Sequence, residues 1–219
     1  PVPTIGGNVT GFYELADVPE GLNREYIVPR ARMRQIVLDG GAHQKEEPGT
    51  VGTKPPWLPL ATRPDVLVFQ TEPLEEGIEV TGSIEVNLWI SSSAVDTDFT
   101  AKLVDVYPSS QDYPGGYHLN ICDSIIRVRY RNGFDSAEFM APGDVYQVQI
   151  KLGPTSNLFK AGQRIRLDIA SSNFPRFDVN PNTGEPNGRH THTIRALNTV
   201  HLGESRPSHV VLPIISTEQ

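Results

Sequence analysis

Cysteine, long apolar runs and clustered positive charge are all scarce in this sequence. Cys122 is the single cysteine of 219 residues, so an internal disulfide is excluded, and this favours a reducing cytoplasm. No apolar run approaches the roughly 20 residues that a membrane-crossing helix needs, and the first residues do not form a signal peptide. The 19 basic residues are outnumbered by 26 acidic ones and form no basic stripe, so neither a membrane nor nucleic acid is an expected partner.

Proline and glycine, by contrast, are abundant, at 19 residues each. Many turns are therefore needed, which is typical of short strands joined by loops. All-β sandwiches often reach this length as one unit, so we expect one domain with an extension. Because the chain opens at Pro1, without an initiator methionine and in irregular sequence, we also expect it to be part of a longer polypeptide.

Two regions of different character divide the chain. Residues 1–64 contain glycine pairs and a proline-rich stretch but little periodicity, and we assign them to an irregular arm and linker. Ala31 to Leu38 within this arm could form a short helix or strand. Residues 65–219 show repeated alternation of apolar and polar residues, which predicts strands with one face in a core.

The alternation is clearest in four segments: Ser83–Ile90, Ile125–Arg131, Asp144–Leu152 and Arg164–Ile169. Further strands are predicted at Val66–Gln70, Phe99–Tyr107, Ile194–His201 and His209–Ile214. With little helix, these strands should pair mainly antiparallel into two packed sheets, so we predict an all-β jelly-roll sandwich. Within Ile125–Arg131, the three arginines alternate with apolar residues and are expected to face solvent or a partner.

Serine nucleophiles have no supporting motif in this chain. The GxSxG turn that exposes a catalytic serine is absent, and Ser91 to Ser93 and Ser171-Ser172 are interpreted as serines at strand edges. Cys122 has no flanking base and is predicted to be a small buried residue. Asp96 and Asp98 are expected to accept hydrogen bonds that order the turn into Phe99.

Two patterns suggest metal ligands, but neither is complete. Asp178, Asn180 and Asn182 alternate as the ligands of a twelve-residue calcium loop do. Gly184, however, falls one place after the position at which such a loop has its glycine, and the twelfth position is Arg189 instead of glutamate. A hydrogen-bonded Asx turn explains the same residues. His190 and His192 could share a strand face with a third ligand such as His201 or His209, but their polar setting favours exposed histidines. We therefore predict no metal and no cofactor.

Longer phrases carry a family resemblance. The segments PVPTIGG (1–7), RPDVLVF (63–69), SSSAVDTDFTAKLVD (91–105), PTSNLFKAGQRIRLDI (154–169), SSNFPRFDVNPNTG (171–184) and PSHVVLP (207–213) are the phrases concerned. In this order they resemble the C-terminal domain of the X-Pro dipeptidyl-peptidase family, which includes the cocaine-esterase-like (CocE/NonD) hydrolases and the α-amino-acid ester hydrolases. The resemblance implies a galactose-binding-domain-like jelly roll packed against an upstream α/β-hydrolase domain.

The same resemblance implies that the Ser-Asp-His triad lies before Pro1, so no catalytic residue is assigned to this chain. Members of the family often carry a Gly-Ala-Phe-Asp-Gln phrase close to the hydrolase pocket, and Gly41 to Lys45 occupy that place here. Ala42, His43 and Gln44 are accordingly predicted to lie beside the substrate pocket. His43 and Gln44 replace the aromatic and acidic residues of the phrase, which leaves the substrate class open.

Three functions compete at this stage. The first is a non-catalytic domain that packs on the hydrolase domain and shapes its pocket. The second is a carbohydrate-binding module, for which only Trp57, Trp89 and scattered tyrosines could serve. The third, an enzyme in its own right, would require a pocket with perturbed pKa values. The sequence leaves open a homo-oligomer and whether the longer protein is a peptidase, an esterase or an acylase.

Overall fold

The chain forms an antiparallel β-sandwich, which confirms the predicted fold class. The computed structural model describes residues 9–14, 24–28, 44–45, 56–174 and 176–215. Its strands are β1 (Val9–Glu14), β2 (Arg24–Val28), β3 (Leu67–Gln70), β4 (Ile78–Ser92), β5 (Asp98–Tyr107), β6 (Tyr117–Arg127), β7 (Tyr146–Phe159), β8 (Arg164–Ala170), β9 (Ala196–His201) and β10 (His209–Ile215). Two short 3-10 turns lie at Leu60–Thr62 and Val128–Tyr130. Neither helical turn is long or apolar enough to cross a membrane, and no other helix lies in these ranges.

The long strand β4 organises the larger sheet. Strand β7 pairs along one edge of β4, while β10 and then β9 pair along the other edge. Strands β1 and β2 extend this sheet by pairing with β10 and β9. Both lie within residues 1–64, so the region assigned to an irregular arm contributes two strands to the sandwich. The domain boundary at residue 64 stays a prediction, and Ala31 to Leu38 lie outside the described residues.

The smaller sheet has the strand order β3-β8-β5-β6. Its inner face packs against β4 and β7, and the two sheets share one apolar core. Leu88 and Ile90 on β4, Ile150 on β7, and Phe99 and Leu103 on β5 are all almost completely buried there. The period-2 pattern predicted these inward positions because successive strand residues point to opposite faces.

A carboxylate also faces this core. Asp105 follows Phe99 and Leu103 at period 2 on β5 and has no exposed surface. The Asn157 side-chain amide on β7 donates to its Oδ2 at 3.3 Å, while Oδ1 has no hydrogen-bond partner among the described residues. Burial raises the pKa of Asp105 to about 6, although hydrogen bonds from Asn157 and Tyr107 oppose the shift. The folded protein therefore holds this proton more tightly than the unfolded chain does.

Asp105→Asn should increase the free energy of unfolding at pH 7 but not at pH 4. The stability conferred by the protonated carboxyl is complete below about pH 4 and is lost as the pH rises to about 6, because only the folded state has the raised pKa. The shift is about two pKa units at about 1.4 kcal/mol per unit, so we expect the variant to gain about 2 to 3 kcal/mol over the wild type at pH 7. Urea unfolding between pH 4 and 7 measures this difference.

The exposed Asp135→Asn is the matched control and should track the wild type at every pH. A gain for Asp105→Asn that is the same at pH 4 and pH 7 would contradict the raised pKa.

Candidate functional site

The outer face of the smaller sheet is polar and yet buried. Because Phe99, Ala101 and Leu103 point into the core, Asp98, Thr100 and Lys102 point to the other side of β5. These three side chains are at most 8% exposed. Polar residues at every second position of a strand ordinarily face solvent. Because this polar face is buried, the side chains that cover it must pair with its polar groups if the sheet is to be stable.

Lys102 lies at the centre of this outer face. The strand register places Asp123 of β6 opposite Lys102 on one side and Asp168 of β8 opposite it on the other. Its ammonium also donates to the side-chain oxygen of Gln44 at 3.3 Å. Cross-strand neighbours share a face, so a buried cation is surrounded here by two carboxylates and an amide oxygen.

A second cation, Arg166, lies beside Asp168 on β8. Its guanidinium is 1% exposed, with Nε 2.9 Å from one Asp168 oxygen and Nη2 donating to the other at 3.0 Å. Burial raises the pKa of Asp168, and the positive charges of Arg166 and Lys102 oppose that shift. Arg166 Nη1 lies 3.0 Å from Nδ1 of His118. Because an arginine only donates, Nδ1 accepts, and in neutral His118 the ring proton is at Nε2.

Two further ion pairs correct the expectation for the arginines of Ile125–Arg131. Arg127 donates from Nε and Nη2 to the two oxygens of Asp98, each at 2.9 Å. Arg129 is 4% exposed and pairs with the fully buried Asp96 at 2.7 Å. These arginines therefore face aspartates inside the protein instead of solvent or a partner. Strand β6 ends at Arg127, and the 3-10 turn that follows brings Arg129 to Asp96.

Asp96 and Asp98 order their turn as predicted, since the Arg129 backbone N–H donates to Asp96 at 2.9 Å. Asn180 joins the two ion pairs, because its side-chain amide donates to both Asp96 and Asp98 at 2.7 Å. Its own oxygen accepts from the backbone N–H of Asn182 at 2.9 Å. This is the Asx turn that the sequence predicted as the alternative to a calcium loop. Both the nitrogen and the oxygen of the Asn180 side-chain amide thus have hydrogen-bond partners within the protein.

Gly184 closes the same loop. It has a φ of 79°, in the left-handed region, and a Cβ there would lie 3.1 Å from Val95 and 3.3 Å from Phe139. The close approach explains a glycine at this position without a calcium ion.

A serine and a histidine meet elsewhere, a contact that the sequence did not indicate. Ser91 Oγ lies 2.9 Å from Nε2 of the buried His201. Nη1 of Arg206 lies 3.3 Å from Nδ1 of that ring. The arginine must be the donor, so in neutral His201 the proton is at Nε2 and points to Ser91. A general base needs the opposite tautomer, with a carboxylate at Nδ1, so this pair is not arranged to activate the serine.

Neither the two neighbouring histidines nor the cysteine is arranged as a metal ligand or a nucleophile. His190 and His192 are exposed, and His192 Nδ1 lies 3.5 Å from Glu185. Within the described ranges, no group of three His, Cys, Asp or Glu side chains is placed to hold a metal ion. Burial, with the neighbouring Asp123 charge, raises the pKa of Cys122 to about 12, which removes the thiolate at neutral pH.

Among the residues predicted to lie beside a substrate pocket, Gln44 is described, whereas Ala42 and His43 lie outside the described residues. Gln44 is fully buried, its backbone N–H donates to the His118 carbonyl at 2.7 Å, and its carbonyl accepts from Leu60 N–H at 3.0 Å. Beside it lies an open cavity of about 480 Å³, lined by Lys45, His118, residues 56–59 and residues 112–116. Sequence reasoning missed this cavity because its walls come from three distant segments.

Comparison with known proteins identifies relatives for most of the chain. Residues 29–211 match the X-Pro dipeptidyl-peptidase C-terminal non-catalytic domain. The cocaine esterase of Rhodococcus sp. (strain MB1 Bresler) is 45% identical over 159 residues, which are 72% of this chain and 27% of that protein. The chain thus spans about a quarter of the length of this curated relative.

Two solved structures have a similar fold. An aminopeptidase from a marine sediment Thaumarchaeota archaeon gives a TM-score of 0.77 at 27% identity, covering 94% of this chain and 36% of that one. An α-amino acid ester hydrolase gives a TM-score of 0.76 at 27% identity, covering 95% and 36%. In each case the similarity is to about a third of a larger hydrolase.

Removal of the Arg129 guanidinium should destabilise the fold strongly. Arg129→Met leaves Asp96 charged, buried and short of its partner, so we expect a loss of about 3 kcal/mol in the free energy of unfolding. The double variant Asp96→Asn/Arg129→Met should recover part of that loss, because the orphaned charge is gone. Urea unfolding at pH 7 measures all three proteins.

Glu72→Gln is the control for charge removal itself, since Glu72 pairs with Arg164 at 3.3 Å but is 92% exposed. It should leave the unfolding midpoint unchanged. An Arg129→Met variant as stable as this control would contradict the importance of the buried pair.

Cys122 should react very slowly with iodoacetamide in the folded protein at pH 8. With a pKa of about 12, only a minute fraction of the thiol is ionised at that pH. Mass spectrometry should find the native chain unmodified and the urea-unfolded chain fully alkylated. Equal rates in the two states would show that the thiol is exposed and its pKa ordinary.

Proposed function

The chain belongs to the family of X-Pro dipeptidyl-peptidase C-terminal non-catalytic domains, and from that premise we propose that it packs on an α/β-hydrolase catalytic domain of the same polypeptide and helps to shape its substrate pocket. The similarity of this chain to about a third of an aminopeptidase and of an ester hydrolase supports this role. The proposed partner is thus the catalytic domain of a longer serine hydrolase, with the triad in that domain.

The observation that carries the proposal is the way in which Gln44 is held. A residue in a segment of irregular sequence is fully buried, and three hydrogen bonds join it to His118, Leu60 and Lys102. Lys102 is itself fixed between Asp123 and Asp168 on the neighbouring strands. A segment anchored in this manner provides the rigid support that a pocket wall requires, since side chains that border a substrate must keep their positions.

Pocket shaping follows from the position of Gln44 in the chain. Ala42 and His43 immediately precede the anchored residue in the sequence. We propose that these two side chains border the acyl or leaving group of the substrate, and that Gln44 positions them. A closed border excludes water and strengthens electrostatic interactions at the reacting centre.

The chemistry of the longer protein is proposed by analogy. The relatives are named as an esterase, an aminopeptidase and an ester hydrolase, and attack of an activated serine on an ester or amide carbonyl is common to such activities. This chain contributes no nucleophile to that reaction in our proposal, because Ser91 faces the wrong histidine tautomer and the Cys122 thiol stays protonated.

Hydrolysis assays test the proposal. The chain alone, and the chain joined to its upstream polypeptide, are assayed with p-nitrophenyl acyl esters and an X-Pro chromogenic amide. We expect turnover only in the longer protein. Replacing residues 42–44 by glycine there should lower kcat/KM about ten-fold, because the wall loses both its side chains and its anchor.

Lys160→Met, an exposed change in the turn after β7, is the matched control and should leave kcat/KM unchanged. Unaltered kinetics in the 42–44 variant would refute pocket shaping. Turnover by the isolated chain that a serine reagent abolishes would refute the non-catalytic role.

A further inference from the structure

The cavity beside Gln44 has two aromatic walls. Trp57 lies in the proline-rich wall of residues 56–59, and Tyr113 lies in the wall formed by residues 112–116. The Tyr113 ring packs edge-on against Tyr117, with ring centroids 4.7 Å apart, and Tyr117 packs in the same way on Tyr107 at 6.3 Å. At about 480 Å³, the cavity is within the size range of small-molecule sites.

Backbone contacts hold the wall of Tyr113 independently of its ring. Tyr113 N–H donates to Ser110 Oγ at 3.1 Å, and its carbonyl accepts from Ser110 N at 3.0 Å and Gly116 N at 2.9 Å. Trp57 has a φ of 49°, in the left-handed region that non-glycine residues rarely occupy. Strain of this kind persists where the surrounding structure fixes it, and it is frequent at ligand sites.

The floor of the cavity is positively polarised. Lys45 and His118 both line it, and they are adjacent because the Gln44 backbone donates to the His118 carbonyl at 2.7 Å. Arg166 fixes the neutral His118 tautomer with the proton at Nε2, because its Nη1 lies 3.0 Å from Nδ1. Asp112 also lines the cavity. An ammonium and an imidazole thus line an otherwise mainly apolar cavity, within a chain of net charge −7.

We propose that this cavity binds a small carboxylate that carries a planar ring. The ring lies between Trp57 and Tyr113, where offset or edge-on stacking is favourable. The carboxylate points to the Lys45 ammonium, which can donate a charge-assisted hydrogen bond. Apolar walls with three prolines suit a ring without hydroxyl groups better than a sugar. This inference does not depend on the proposed function, since it concerns a site within this chain.

Fluorine NMR of the 219-residue chain tests the site, with 4-fluorobenzoate as the probe and 4-fluorobenzyl alcohol as its uncharged analogue. We expect saturable binding of 4-fluorobenzoate with a Kd of about 1 mM, which is reasonable for so few atoms. Lys45→Met should weaken binding of the carboxylate at least about five-fold and leave the alcohol unaffected. Tyr113→Ala should weaken both probes, because both lose the stacking surface.

Lys160→Met, which removes an equally exposed ammonium remote in sequence from the cavity residues, is the matched control and should bind like the wild type. The proposal is overturned if the alcohol binds as well as the carboxylate, if Lys45→Met has no effect, or if glucose displaces the probe. Circular dichroism of each variant checks that the fold is retained. If Lys45→Met loses structure, Tyr113→Ala tests the site in its place.

The acid that fills this site could be a product of hydrolysis or a free acid from solution, and experiments on the longer polypeptide distinguish these two sources. If the site holds an acid released by hydrolysis, Tyr113→Ala should relieve product inhibition by 4-fluorobenzoate in that protein. If the site takes up a free acid from solution, the variant should lose binding while product inhibition stays unchanged. Absence of any Tyr113-dependent binding in the longer protein would refute the site.

Discussion

The burial of a charged strand face is the constraint on which the rest of this structure depends. Strand β5 has an apolar inner face and a polar outer face, and both are removed from solvent. An unpaired charge in such a position would cost several kcal/mol, so each one requires a partner with good geometry. Lys102 lies between Asp123 and Asp168, Arg127 binds Asp98, and Arg129 binds Asp96. The loop that carries Asp96 and the 3-10 turn that carries Arg129 therefore have little freedom in where they lie.

The candidate site follows from this arrangement. Gln44 completes the surroundings of Lys102, and the segment that carries it is thereby fixed against the smaller sheet. Arg166, which pairs with Asp168, also sets the tautomer of His118 at the floor of the cavity. One network thus stabilises the sandwich, holds the segment of the proposed pocket wall and polarises the cavity. In our proposal the network serves function by fixing where these segments lie, because breaking a buried pair leaves an uncompensated charge.

Individual strands show what alternation can and cannot predict. For β10 the alternation predicted the strand to within one residue. For β4 and β7 it located the strand but covered only about half of its length, because the pattern was read from the residues with the cleanest alternation. The prediction for Ile125–Arg131 was wrong in its second half. Its arginines were expected to face solvent or a partner, whereas Arg127 and Arg129 pair with aspartates about 30 residues earlier in the chain. The strands β1 and β2 were missed because their pairing with β10 and β9 joins opposite ends of the sequence.

The sequence alone therefore determined the all-β class, the inward residues of the main strands, the Asx turn at Asn180 and the family resemblance, because each of these depends on local pattern or on phrases read in order. Tertiary structure alone decided which charges are paired, that Ser91 meets His201 in an unproductive tautomer, and that Trp57, Tyr113, Lys45 and His118 enclose one cavity. The physical reason is distance along the chain. Side chains separated by tens of residues become neighbours only when sheet register brings their strands together, and no local periodicity records that register.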